Sequence, residues 1–202
     1  MEDVLELYAR PYNPREPVVC LDERPVQLLG DARPGIPARP GRIAREDYEY
    51  VRNGTANVFC GVEPLAGRHY AKATHDRSGP QFAEALRDIA RRYPHAKTIH
   101  LVVDNLSTHC LKSAVRRFGP CRGRALWERF TLHFTPKHGS WLNQAEIEIS
   151  VYSRQCLRGQ RTRDFWTLAS RTNAWMLRAD AERWRIRWGF SVKKAREKFG
   201  YR

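Results

Sequence analysis

The chain has 202 residues, enough for one domain with a proper core, and 36 Lys and Arg against 22 Asp and Glu give it a formal charge of +14. Most of that charge is arginine, whose planar fork matches phosphate oxygens, so a polyanionic partner is expected; charge alone leaves DNA, RNA and anionic membrane open. Five scattered cysteines with no C-x-x-C spacing exclude a disulfide framework and a zinc knuckle, and no apolar run approaches the roughly 18 residues of a membrane span, which points to the reducing cytoplasm.

Residues 3 to 8 have the pattern of a short helix, and Pro11, Pro14 and Pro17 cannot continue one, so 1–17 reads as a linker. Val18 to Glu23 is an apolar strand that runs into acid. From Arg24 to Asn53 four prolines and three glycines interleave with Arg33, Arg39, Arg42 and Arg45, which predicts an irregular insertion at about 24–55 that serves as a nucleic-acid or partner-binding arm. Asn53-Gly54 and Leu65-Ala-Gly67 punctuate two further strands, Ala56–Val62 and His69–Thr74.

Ser78 precedes a helix whose apolar positions are Phe82, Ala85, Leu86, Ile89 and Ala90, ended by Tyr93-Pro94. The strand from Thr98 stops at Asp104, a residue that opens a turn or caps the helix starting near His109 as readily as it serves chemistry. A helix through Leu111, Ala114, Val115 and Phe118 and a strand over Phe130–Thr135 follow. The order β-β-β-α-β-α-β calls for an α/β fold, a mixed five-stranded sheet flanked by helices.

Beyond Trp141, Leu142, Ala145, Ile149, Tyr152 and Cys156 step by three and four and predict one helix with Glu146 and Glu148 on opposite shoulders of its stripe; periodicity does not choose between these acids. A last helix is predicted over 164–179. The aromatics of the basic tail, Trp184, Trp188 and Phe190, read as core packing.

Asp22 on the first strand, Asp104 after the fourth and a glutamate on the helix after the fifth can meet where the first and fourth strands are neighbours. Such hard oxygen donors suit Mg²⁺ or Mn²⁺, and two such ions can activate water against a phosphodiester.

Four stretches carry a resemblance: Cys20-Leu-Asp-Glu23, Arg52-Asn-Gly-Thr-Ala-Asn57, Val102-Val-Asp-Asn105 followed by His109, and Thr135-Pro-Lys-His-Gly-Ser-Trp-Leu-Asn-Gln-Ala-Glu146. Together they resemble the DDE transposases of the IS630 and Tc1/mariner superfamily, from about residue 15 onward, with Trp188-Gly-Phe-Ser-Val and Ala195-Arg196 similar to the family's closing segment. The resemblance implies an RNase H-like, retroviral-integrase-like domain over 18–202. It implies catalytic, metal-holding acids at Asp22, Asp104 and Glu146, the Asn-x-x-Glu spacing from Asn143 choosing Glu146. Glu23 and Glu148 then become outer-shell or solvated acids.

The implied activity is hydrolysis at transposon ends with two Mg²⁺ or Mn²⁺ ions, then strand transfer of the 3′-hydroxyl into target DNA, by a nucleoid-associated homodimer on double-stranded DNA with no membrane partner. Lys137, His138, Ser140 and Asn143 fall beside the pocket, where Lys137, His138 and Asn143 join Arg33, Arg39 and Arg42 as expected DNA contacts; in the family the insertion also contacts the partner protomer. Complete members carry helix-turn-helix modules ahead of this domain, and the chain starts within what resembles the linker. A catalytically silent DNA-binding or dimerising fragment, or a related RNase H-like nuclease, is the competing expectation.

Overall fold

The computed structural model describes residues 1–45 and 47–200. Glu46, within the predicted insertion, and Tyr201 and Arg202, the end of the predicted domain, lie outside the described residues. Helix α1 (Glu2–Ala9) leads into strands β1 (Val18–Asp31), β2 (Tyr50–Glu63) and β3 (Arg68–Thr74), then helix α2 (Gly79–Arg92) and strand β4 (Ile99–Val103). Helices α3 (Leu111–Phe118) and α4 (Pro120–Trp127), strand β5 (Phe130–Phe134) and helices α5 (Ala145–Tyr152), α6 (Phe165–Glu182) and α7 (Val192–Phe199) complete the chain.

The five strands form one mixed sheet in the order β3-β2-β1-β4-β5. β1 to β3 pair antiparallel, as short turns allow, whereas β4 and β5 add parallel to β1 through helical crossovers. The sheet with its flanking helices is the α/β arrangement that the sequence predicts. The period-two alternation of the strands sorts two cores. Val19, Leu21, Leu101 and Val103 face α2 through Phe82, Leu86 and Ile89. Cys20 and Val102 face the other way, toward Leu142, Ala145 and α1. On that second face β2 also meets α5 and α6 through Ile149, Tyr152, Leu168 and Trp175.

The short helix expected within the 1–17 linker is α1, and its Val4, Leu5 and Leu7 are almost fully buried against the sheet. Two local expectations are corrected. Regular structure enters the predicted loop: β1 continues to Asp31 opposite β2, which starts at Tyr50, with a register shift between Gln27 and Leu29. At its tip Arg42 N donates to Arg39 O around Pro40-Gly41, and Gly41 has φ 77°, the combination a type II turn requires. The predicted single helix after Trp141 is three pieces: a 3₁₀ turn (Ser140–Leu142), α5, and a π turn (Ser153–Leu157), although its predicted apolar stripe is buried throughout. Among the described residues no helix is long and apolar enough to cross a membrane.

Candidate functional site

Register and parity bring the acids together. Cys20 lies opposite Val102, the last pair of the parallel β1–β4 ladder, so continuing that register carries Asp22 toward Asp104, just past the end of β4, and the Asp104 charge acts on the Asp22 carboxyl. Neighbouring strands are about 4.8 Å apart, which sets the scale of their backbone separation. Asp22 shares the parity of Cys20 and faces α5, whereas Glu23 shares that of Leu21 and faces α2. Alternation along one strand thus separates two consecutive acids.

Asn143 ties α5 to this rim. Fully buried, it donates from Nδ2 to Leu21 O at 2.9 Å and to Asp22 Oδ2 at 3.3 Å, while its Oδ1 accepts from Ala145 N at 3.2 Å. Glu146, in the first turn of α5, is exposed, and its backbone N donates to Asn143 O. Burial pushes the Asp22 carboxyl up to about 7; the hydrogen bond from Glu23 N opposes this, and the charges of Glu23, Glu146 and Asp104 reinforce it. A half-buried carboxylate hemmed in by three others is a place that favours a cation.

Asp104 behaves differently. The His109 hydrogen bond holds its carboxyl below the ordinary range against the effect of burial. His109 Nδ1 lies 2.9 Å from Asp104 Oδ1 and 3.0 Å from Asp104 O, and Nε2 lies 2.8 Å from Glu23 Oε1. Burial disfavours charge on this imidazole, yet the bonds to Asp104 and Glu23 outweigh it and raise its pKa to about 10. Glu23, Asp104 and His109 hold their ligand-type atoms within 4.8 Å of one another, but those atoms are spent on each other.

Asn143, expected as a DNA contact, is fully buried in this structure and its amide is used within the fold. Of the two places expected for Glu23 and Glu148, outer-shell or solvated, solvated fits neither: Glu23 is closed off by His109, and Glu148 is buried 2.8 Å from His69 Nδ1. Lys137, His138 and Ser140 are exposed and line one open groove with Asp104, Asn105 and Thr135. His138 holds φ 62°, a left-handed backbone uncommon outside glycine. Arg33, Arg39 and Arg42 are exposed on the arm, Arg33 lying 3.8 Å from Asp47 and 4.0 Å from Glu49. Arg161 braces the base of that arm, donating to Asp31, Glu49 O and Asp47 O. The sequence gives no periodic signal for that brace; the only sign of the His109 link is the spacing of Asp104 and His109 around a turn.

A family model described as a DDE superfamily endonuclease matches residues 17–169. Among solved structures, the Mos1 mariner paired end complex with Mn aligns with TM-score 0.58 and 16% identity over 90% of this chain and 54% of that chain. The Mos1 Strand Transfer Complex aligns with TM-score 0.57 and 15% identity over 90% and 53%. This chain therefore spans about half the length of those proteins, and at these identities the likeness speaks for a shared RNase H-like fold. A comparison with curated proteins finds no match.

Proposed function

Because this chain belongs to the DDE superfamily of endonucleases, we propose that it is a transposase catalytic domain that cuts phosphodiesters at transposon ends and joins the freed 3′-hydroxyl to target DNA. The observation that carries this reading is the meeting of Asp22 and Asp104 on registered parallel strands, with the first turn of α5, which bears Glu146, tied to the same rim by Asn143. In this reading Asp22 and Asp104 hold the metal ions jointly and Glu146 completes one site. Two Mg²⁺ or Mn²⁺ ions fit such hard oxygen donors, and when bound they supply an activated water and stabilise the leaving oxygen.

The remaining residues position DNA. Lys137 and His138 reach a backbone phosphate from the groove beside Asp104, and Arg39 and Arg42 meet DNA from the arm. The domain extends over 18–202 with α1 packed on it, works as a homodimer on double-stranded DNA, and acts at the nucleoid. The paired end complex with Mn and the Strand Transfer Complex are those of Mos1, and they support the same chemistry here.

The test is cleavage of an end-labelled duplex carrying the transposon ends. Nicking that needs Mg²⁺ or Mn²⁺ and disappears in Asp104→Ala is expected. Cutting without metal, or full activity in that variant, overturns the assignment; DNA binding with no cutting under any metal returns the protein to the silent-fragment reading.

A further inference from the structure

His109 is 3% exposed, and its ring packs 4.3 Å from that of Phe82 on α2. A backbone carbonyl only accepts, so the nitrogen that faces Asp104 O carries a hydrogen. That Nδ1–H is shared between the Asp104 carbonyl and Asp104 Oδ1. Oδ1 also accepts from Leu106 N at 3.2 Å, which fills its two lone-pair directions. Asp104 Oδ2 accepts no hydrogen bond from the described residues. On the far side, Nε2 is closed off by Glu23 Oε1, whose side chain is 4% exposed. The imidazole thus has no free lone pair to offer an ion.

We propose that Glu23 and His109 form a positioning pair behind Asp104, with Glu23 fixing the ring and His109 holding Oδ1 so that Oδ2 alone is presented for metal coordination. The inference rests on the reading of Asp104 as a metal ligand and adds what sets that ligand's orientation. Partners of this kind behind a ligand generally change metal affinity or activity by about 10- to 100-fold when removed. His109 acts through Asp104 and is a positioning residue.

Two substitutions separate its two nitrogens. Asparagine reaches the place of Nδ1, so His109→Asn keeps the donor to Asp104 and loses the contact with Glu23. Glutamine reaches the place of Nε2, so His109→Gln keeps the contact with Glu23 and loses the donor. Mn²⁺ binding to the intact protein, read by the electron paramagnetic resonance of free Mn²⁺, is measured beside the Mn²⁺ dependence of duplex nicking. His109→Gln is expected to weaken Mn²⁺ binding by about 10- to 100-fold and to move half-maximal nicking to correspondingly higher Mn²⁺, with the rate at saturation largely kept. His109→Asn, which keeps that donor but loses its anchor and leaves the buried Glu23 carboxylate without its partner, is expected to lose clearly less Mn²⁺ affinity than His109→Gln.

Wild-type affinity in His109→Gln overturns the proposal, and so does an equal loss in both variants, which is the mark of a merely structural histidine. Asp104→Ala separates the underlying reading: Mn²⁺ binding that survives it removes Asp104 from the metal site and takes the positioning pair with it. Loss in Asp104→Ala with no change in His109→Gln overturns the pair alone.

Discussion

Asn143 donates a 2.9 Å hydrogen bond to the carbonyl oxygen of Leu21, and through it the start of α5 is fixed to the strand that bears Asp22. Asn143→Ala leaves Leu21 O and Ala145 N without this partner in a fully buried place, at a cost of about 1–3 kcal/mol. Asn143→Asp keeps an acceptor for Ala145 N but turns a second oxygen toward Leu21 O and the Asp22 carboxylate, so it should be the worse variant at neutral pH and recover toward Asn143→Ala in acid. Thermal melts of both variants across pH check this; equal stability at neutral pH would count against the bridging geometry.

Glu148 gives the clearest pH dependence of stability. Burial holds its carboxyl above the ordinary value of 4.5, against the pull of the His69 hydrogen bond. A carboxyl raised in the folded state contributes stability that is complete below the unfolded pKa and is lost as pH rises through the folded one. His69 sits between Glu148, 2.8 Å from Nδ1, and the Trp184 carbonyl, 3.1 Å from Nε2, and a glutamine at 148, which offers both an amide donor and an acceptor oxygen, can still pair with Nδ1. Glu148→Gln should therefore gain stability relative to the unsubstituted protein as pH rises above about 4.5, in melts from about pH 4 to about pH 8. A difference that does not change with pH overturns the account. Glu148→Ala, which strands His69, should cost about 1–3 kcal/mol.

The fold was legible where periodicity and packing agree. Leu21 and Leu101 announce strands buried on both faces, and Phe82, Leu86 and Ile89 announce the helix that covers them. Composition misled where pairing overrides it: the Pro- and Arg-rich run after Glu23 reads as loop, yet β1 and β2 extend through it on a ladder whose base is held by Arg161, a residue 130 positions from its partner Asp31. Helix α4 went unseen because Gly123 and its eight residues leave little pattern, although Gly123 lets it lie directly against the backbone of Ala114 and Val115. Periodicity leaves Glu146 and Glu148 tied; the Asn-x-x-Glu spacing of the resemblance chooses Glu146, and packing adds that Glu148 is turned inward to His69. Of the proposed catalytic acids, Asp22 and Asp104 stand out as strand ends, whereas Glu146 is singled out only by the resemblance; the contacts of Asn143 with Asp22 and of His109 with Asp104 are in no linear pattern.

The arm makes a salt-dependent prediction. Each phosphate neutralised on a duplex contributes about −0.9 to the slope of log K against log salt. Arg39 and Arg42 are exposed, whereas Arg33 already faces Asp47 and Glu49. Replacing Arg39 and Arg42 together with Gln should make the slope shallower by about 2 and weaken all duplex sequences alike, and replacing Arg33 should do less. Fluorescence anisotropy titrations over a range of salt measure this; an unchanged slope removes the arm from the DNA interface.

Metal binding should be visible as stability before any cleavage is assayed. With no cation present Asp22 is held up to about 7, burial and the surrounding acids both disfavouring its charge. Asp22→Asn removes one of the crowded charges and should raise the melting temperature in a chelator. A ligand bound only by the folded state at about 100 times its Kd adds about 2.7 kcal/mol, which for a chain of this length corresponds to roughly 5–10 °C. Mn²⁺ should therefore raise the melting temperature of the unsubstituted protein by that order and leave the Asp22→Asn/Asp104→Asn double variant unmoved. The two responses also separate by salt: monovalent salt screens the acidic rim and stabilises both proteins slightly, whereas the divalent shift requires both carboxylates. An equal Mn²⁺ shift in the double variant would place the ion elsewhere on the molecule and remove Asp22 and Asp104 from its coordination.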